Sequence, residues 1–100
     1  MKVLAELKEC PNCKVEVWLM RSIANEEIKK GFMSGGTFGF SKAEVFCNLD
    51  LTKPMLAGGR APGARVFRDI CTRCMKEQIV RIETGHVTMP TRQGMLPVFA

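Results

Sequence analysis

Among the residues able to do chemistry, the cysteines stand out: there are five in 100 residues, and four of them share one spacing. Cys10-Pro11-Asn12-Cys13 and Cys71-Thr72-Arg73-Cys74 each separate two thiols by two residues. That separation lets a tight turn aim both sulfurs at one point. Two such knuckles supply the four thiolates of a closed tetrahedral site. The expected set of metal ligands is therefore Cys10, Cys13, Cys71 and Cys74, holding Zn²⁺ in a structural role, because four thiolates leave no position open to a substrate. An odd cysteine count argues against a disulfide framework. Cys47 has no cysteine or histidine within four residues of it, and is expected to be a small buried hydrophobe on a strand. His86 lies twelve residues beyond Cys74 with no neighbour that would mark it as a ligand.

Iron is the alternative metal, either rubredoxin-type or in a small iron–sulfur cluster. Rubredoxin knuckles usually carry glycine after the second cysteine, whereas Lys14 and Met75 stand there in this chain, which favours zinc. A catalytic reading finds little. Cys10–Cys13 resembles a glutaredoxin-like redox pair, with Thr88-Met89-Pro90 in the place of the cis-proline segment. In that fold, however, the redox cysteine opens a helix, while residues 14–20 alternate like a strand, and the second knuckle would be unexplained. No P-loop, no partnered histidine and no paired carboxylates in an apolar setting are found. A non-enzyme is expected.

Charge is distributed unevenly. Residues 1–50 hold seven basic and seven acidic side chains, and residues 51–100 hold eight basic against three acidic, so the whole net charge of +5 falls in the second half. Five of these cations, Arg60, Arg65, Arg68, Arg73 and Lys76, form a candidate nucleic-acid-binding set, since arginine's planar fork suits phosphate oxygens. The competing reading is electrostatic: Zn²⁺ on four thiolates adds a charge of about −2, which Lys8, Lys14, Arg68, Arg73 and Lys76 would offset. Apolar runs stay far below the ~20 residues of a membrane span. The opening residues 1–8 are too short and too charged for a secretory signal. A soluble, cytoplasmic chain is expected.

Positioning these residues falls to a few elements. Residues 2–8 suit a strand or a helix, and 14–20 alternate like a strand. Ser22–Lys30 reads as a short helix capped by Ser22 and stopped by Gly31. Residues 31–40 hold four glycines with Phe32, Met33, Phe38 and Phe40, a loop that either folds onto the core or waits for a partner. Residues 43–51 read as a strand with Val45, Cys47 and Leu49 on one face, 52–64 as a loop, and 65–70 as a strand entering the second knuckle. In residues 72–84, Met75, Ile79 and Ile82 fall at i, i+4, i+7, predicting an amphipathic helix with an Arg73–Glu77–Arg81 ladder on its other side. Residues 86–90 suit a further strand. Residues 91–100 read as an arm anchored by Met95, Leu96, Val98 and Phe99.

A knuckle, then β-structure, then a C-x-x-C that opens a helix resembles the treble-clef class of zinc domains, on Cys10, Cys13, Cys71, Cys74 and the helix expected after Cys71. The 57 residues between the knuckles exceed a minimal treble clef, so residues 20–65 are expected to be an insertion or an enlarged sheet. A zinc ribbon, with a strand after the second knuckle, is the alternative. The chain is also similar in general look to small zinc-binding proteins encoded by bacteriophages. The expected fold is a single α+β zinc-stabilised domain over 1–90, treble-clef or zinc-ribbon-like, with antiparallel strands, a C-terminal amphipathic helix and an arm over 91–100. The expected function is a non-catalytic module engaging nucleic acid or a nucleoprotein. The alternative is a protein-interaction module, such as an adaptor, an inhibitor or a small component of an assembly, using Phe32, Phe38, Phe40, Met95, Leu96 and Phe99.

Overall fold

The computed structural model describes residues 2–48, 52, 58–89 and 97–100. Its frame is one antiparallel sheet with a single helix: β1 (Lys2–Glu6), α1 (Leu19–Lys29), β2 (Lys42–Cys47), β3 (Arg60–Ile70), β4 (Glu77–Thr88) and β5 (Val98–Phe99). The strand order is β1-β4-β3-β2, with β5 also on β4. β3 and β4 are the spine, paired from Arg60↔Thr88 to Ile70↔Glu77. β1 lies along residues 81–84 of β4 and β5 along residues 87–88. Ala100 extends the second pairing through reciprocal 2.9 Å hydrogen bonds with His86.

Residues 72–84 are not a helix. After the Cys71–Cys74 turn the chain enters β4, so a strand follows the second knuckle in place of the expected C-terminal amphipathic helix. The segment is rich in β-branched residues (Ile79, Val80, Ile82, Thr84, Val87, Thr88), which suit a pleated, half-buried surface. A bulge between Phe67↔Arg81 and Arg68↔Ile79 leaves Val80 without a partner on β3. The extra residue shifts the period-two pattern, so that Ile79 and Ile82, opposite Arg68 and Val66, share one face although three apart, which imitates helical spacing. The expected arginine ladder is replaced by Arg81–Glu83 at 3.0 Å and Arg68–Glu77 at 3.8 Å.

Strand alternation sorts the spine into two faces. Phe67, Asp69 and Ala61 are buried on one of them, together with their partners' side, and α1 and the knuckles pack there. The central cluster is Cys10, Trp18, Phe67, Cys71 and Val80, with Leu7, Cys13, Val17, Phe38 and Cys74 against it. Four of these ten residues are the knuckle cysteines, so the four-sulfur cluster and the core are one region. The opposite face carries Pro62, Ala64, Val66 and Arg68 of β3, Ile79, Ile82, Thr84 and His86 of β4, and Phe46 of β2. No second layer covers it among the described residues.

α1 begins at Leu19, three residues before the expected start, and Trp18 at its N-cap makes no side-chain cap. Asp69 of β3 acts instead: its carboxylate accepts the N–H groups of Met20 at 3.1 Å and Arg21 at 3.0 Å. Gly31 ends the helix as expected, at φ +81°. Residues 14–20 give only a single bridge, Trp18↔Cys71. β2 stops at Cys47, where Asn48 N–H reaches the Pro62 carbonyl at 2.9 Å, and Pro62 has no N–H to return. Cys47 is on a strand as expected, but exposed rather than buried. β3 begins at Arg60, inside the expected loop, and the loop's residues 53–57 lie outside the described residues. Among the described residues no helix is long and apolar enough to cross a membrane.

Candidate metal centre

Each knuckle is the same small hairpin. Lys14 N–H donates to the Cys10 carbonyl at 2.7 Å and Cys10 N–H to the Val15 carbonyl at 3.0 Å. Met75 N–H donates to the Cys71 carbonyl at 2.8 Å and Cys71 N–H to the Lys76 carbonyl at 3.0 Å. The turns are joined through Thr72, whose N–H and hydroxyl both reach the Val17 carbonyl, at 2.9 and 3.0 Å.

The four sulfurs lie within 4.8 Å of one another. Cys10 and Cys74 are 3.7 Å apart, Cys13 and Cys71 3.9 Å. A tetrahedron of thiolates at the usual zinc–sulfur distance of about 2.3 Å has edges of about 3.8 Å, whereas a disulfide needs about 2.05 Å. The sulfurs thus stand at ligand spacing around one point. Backbone N–H groups of Cys74 and Arg73 at the sulfur of Cys71 lower its pKa to about 7, against the opposing effect of burial. Burial, followed by hydrogen bonding to the neighbouring thiols of Cys74, Cys71 and Cys10, pushes Cys13 up to about 12.

Lys14 and Met75 adopt the left-handed conformation, at φ 59° and 62°. They do what glycine does in rubredoxin knuckles, so their identities no longer separate zinc from iron. For non-glycine residues this conformation costs roughly 1–2 kcal/mol, partly balanced by the ~0.5–1 kcal/mol that glycine loses in backbone entropy. Lys14→Gly and Met75→Gly are each expected to raise stability by up to about 1 kcal/mol, read as a higher urea midpoint of the metal-loaded protein at unchanged slope.

Cys47 and His86 stand outside the cluster. Cys47→Ser, at an exposed strand position, is expected to change stability by no more than about 0.5 kcal/mol. Loss of metal from that variant, measured by elemental analysis, would make Cys47 a ligand.

The five candidate cations do not form one surface. Arg65 donates from Nε and Nη2 to Glu83, at 2.9 and 2.7 Å, and lies over the rings of Phe67 and Phe99. Arg68 pairs with Glu44 and Glu77. Arg73 and Lys76 are exposed beside the knuckle, and Arg60 is at the far end of β3, ten residues and roughly 33 Å of strand from Ile70. The candidate partner-binding aromatics divide as well. Phe38 and Phe40 pack on Phe67 with ring centroids at 5.5 and 4.8 Å. Phe99 is half-buried under Arg65, and Phe32 is 76% exposed. Met95 and Leu96 lie outside the described residues. Sequence reasoning missed Trp18, whose Nε1–H bonds the Lys8 carbonyl at 2.9 Å in the centre of the core, and Asp69.

No protein-family model matches the chain, and none of the curated proteins or solved structures matches it.

Proposed function

We propose that the chain is a zinc-stabilised, non-catalytic binding module whose partner is a protein, engaged across the open face of the sheet. The observation that carries this reading is a strand surface with exposed Phe46 and Ile79 beside half-buried Ala64, Val66 and Ile82, and no covering layer among the described residues. It includes a shallow concavity of about 620 Å³ over Gly63 and Gly85, walled by Phe46, Thr84 and His86. Apolar patches of this kind mark contact surfaces. Two of the five cations that favoured nucleic acid are spent on carboxylates within the chain.

Zinc is the metal this reading assigns: four thiolates spaced around one point suit it in a structural role with no open position for a substrate, and the same set also accommodates iron. One equivalent of zinc in a colourless protein is expected. Visible thiolate-to-iron absorption would replace zinc by iron.

A second reading rests on Lys8, Lys14, Arg73 and Lys76, exposed around the knuckles with no ion pair among the described residues. Titration with duplex DNA and single-stranded RNA at two salt concentrations separates the two. The protein-partner reading expects no appreciable binding in either salt, the four cations serving the thiolate centre. Tight binding that falls steeply with salt would mean several phosphates are neutralised and would overturn it.

A further inference from the structure

The outer edge of β2 is the longest open ladder among the described residues, and its pattern suits a copy of itself. We propose that two chains associate through antiparallel β2–β2 pairing about a two-fold axis at Val45, making one continuous sheet. This goes beyond the proposed open-face contact and uses a different surface.

Register fixes which backbone groups are free. β2 pairs with β3 without a shift from Lys42↔Arg68 to Cys47↔Gly63. Asn48 N–H points inward to the Pro62 carbonyl. Alternation therefore turns the N–H and C=O of Glu44 and Phe46 inward, and those of Ala43, Val45 and Cys47 outward. The outward set is apolar on its side chains, and Val45 is 52% exposed. An open edge of this kind is a template for strand addition.

A two-fold axis at Val45 pairs Val45 with Val45, Ala43 with Cys47, Glu44 with Phe46 and Lys42 with Asn48 of the second copy. Every outward group from 43 to 47 then finds a partner, and no like charges stand directly opposite. Glu44 is already neutralised in its own chain by Lys42 at 3.3 Å and by Arg68. An axis at Ala43 would set Lys42 against Glu44 of the second copy, but it needs the Ser41 N–H. That group already donates to the Arg68 carbonyl at 2.8 Å.

Light scattering on the metal-loaded protein over a concentration series tests the pairing. A reversible dimer is expected. Val45→Pro removes only the outward N–H and leaves the inward ladder intact. It is expected to weaken association at least about 30-fold, the equivalent of two backbone hydrogen bonds, with metal content and far-UV spectrum unchanged. If that variant misfolds, Val45→Cys with Cys47→Ser serves instead. Directly opposed residues in such a pair are about 5.5 Å apart, within disulfide reach, so an inter-chain disulfide at position 45 is expected on mild oxidation. A monomer at all concentrations, a dimer indifferent to Val45→Pro, or no disulfide at position 45 in a dimeric protein would each overturn the proposal.

Discussion

Stripping the metal is expected to unfold the chain. Structural zinc in small thiolate sites contributes roughly 10–16 kcal/mol, more than the ~5–15 kcal/mol of net stability of a typical domain. The centre also occupies the core. Cys10 and Cys71 are fully buried, in one cluster with Trp18, Phe67 and Val80. Two segments distant in sequence, residues 10–15 and 71–76, meet at the four sulfurs. Excess strong chelator should abolish the cooperative thermal transition. It should also shift the emission of Trp18, now 1% exposed, toward that of a solvated indole. Cys74→Ser should behave alike. Acid acts in the same direction, because each ligand must be deprotonated to bind, so falling pH returns protons to the thiols and releases the ion. A cooperative transition at the same temperature in verified metal-free protein would show that the core stands without the ion.

The four-cysteine cluster was legible because its chemistry is local: a C-x-x-C turn closes on itself whatever surrounds it. Gly31 was legible for the same reason. The helix expected over 72–84 failed because a β-bulge at Val80 is set by pairing with β3, and pairing is absent from a single stretch of sequence. The density of Ile, Val and Thr from 79 to 88 was the available signal against it. The exposure of Cys47 was hidden for a related reason. Period two shows that Val45 and Cys47 share a face, not whether anything covers that face. Arg65 and Arg68 read as free cations because their carboxylates, Glu83 and Glu44, lie on neighbouring strands 18 and 24 residues away.

Asp69 is the case in which this non-locality has the largest energetic consequence. It is 0% exposed and has no ion pair among the described residues. Its Oδ1 accepts the N–H groups of Met20 at 3.1 Å and Ile70 at 2.8 Å, and Oδ2 that of Arg21 at 3.0 Å. The positive end of the α1 dipole and these donors are what hold a carboxylate there. Asp69→Ala leaves three N–H groups without an acceptor, at roughly 1–3 kcal/mol for each one that water does not reach. A loss of about 4 kcal/mol is expected, with faster amide exchange at Met20 and Arg21. Ser22, the cap suggested by local sequence, lies inside α1 and its N–H already bonds the Trp18 carbonyl at 3.0 Å. Ser22→Ala should therefore be neutral or stabilise by a few tenths of a kcal/mol, as alanine is the better helix former. The reverse order, with Ser22→Ala costly and Asp69→Ala mild, would mean that the helix is capped from its own sequence and that β3 does not anchor it.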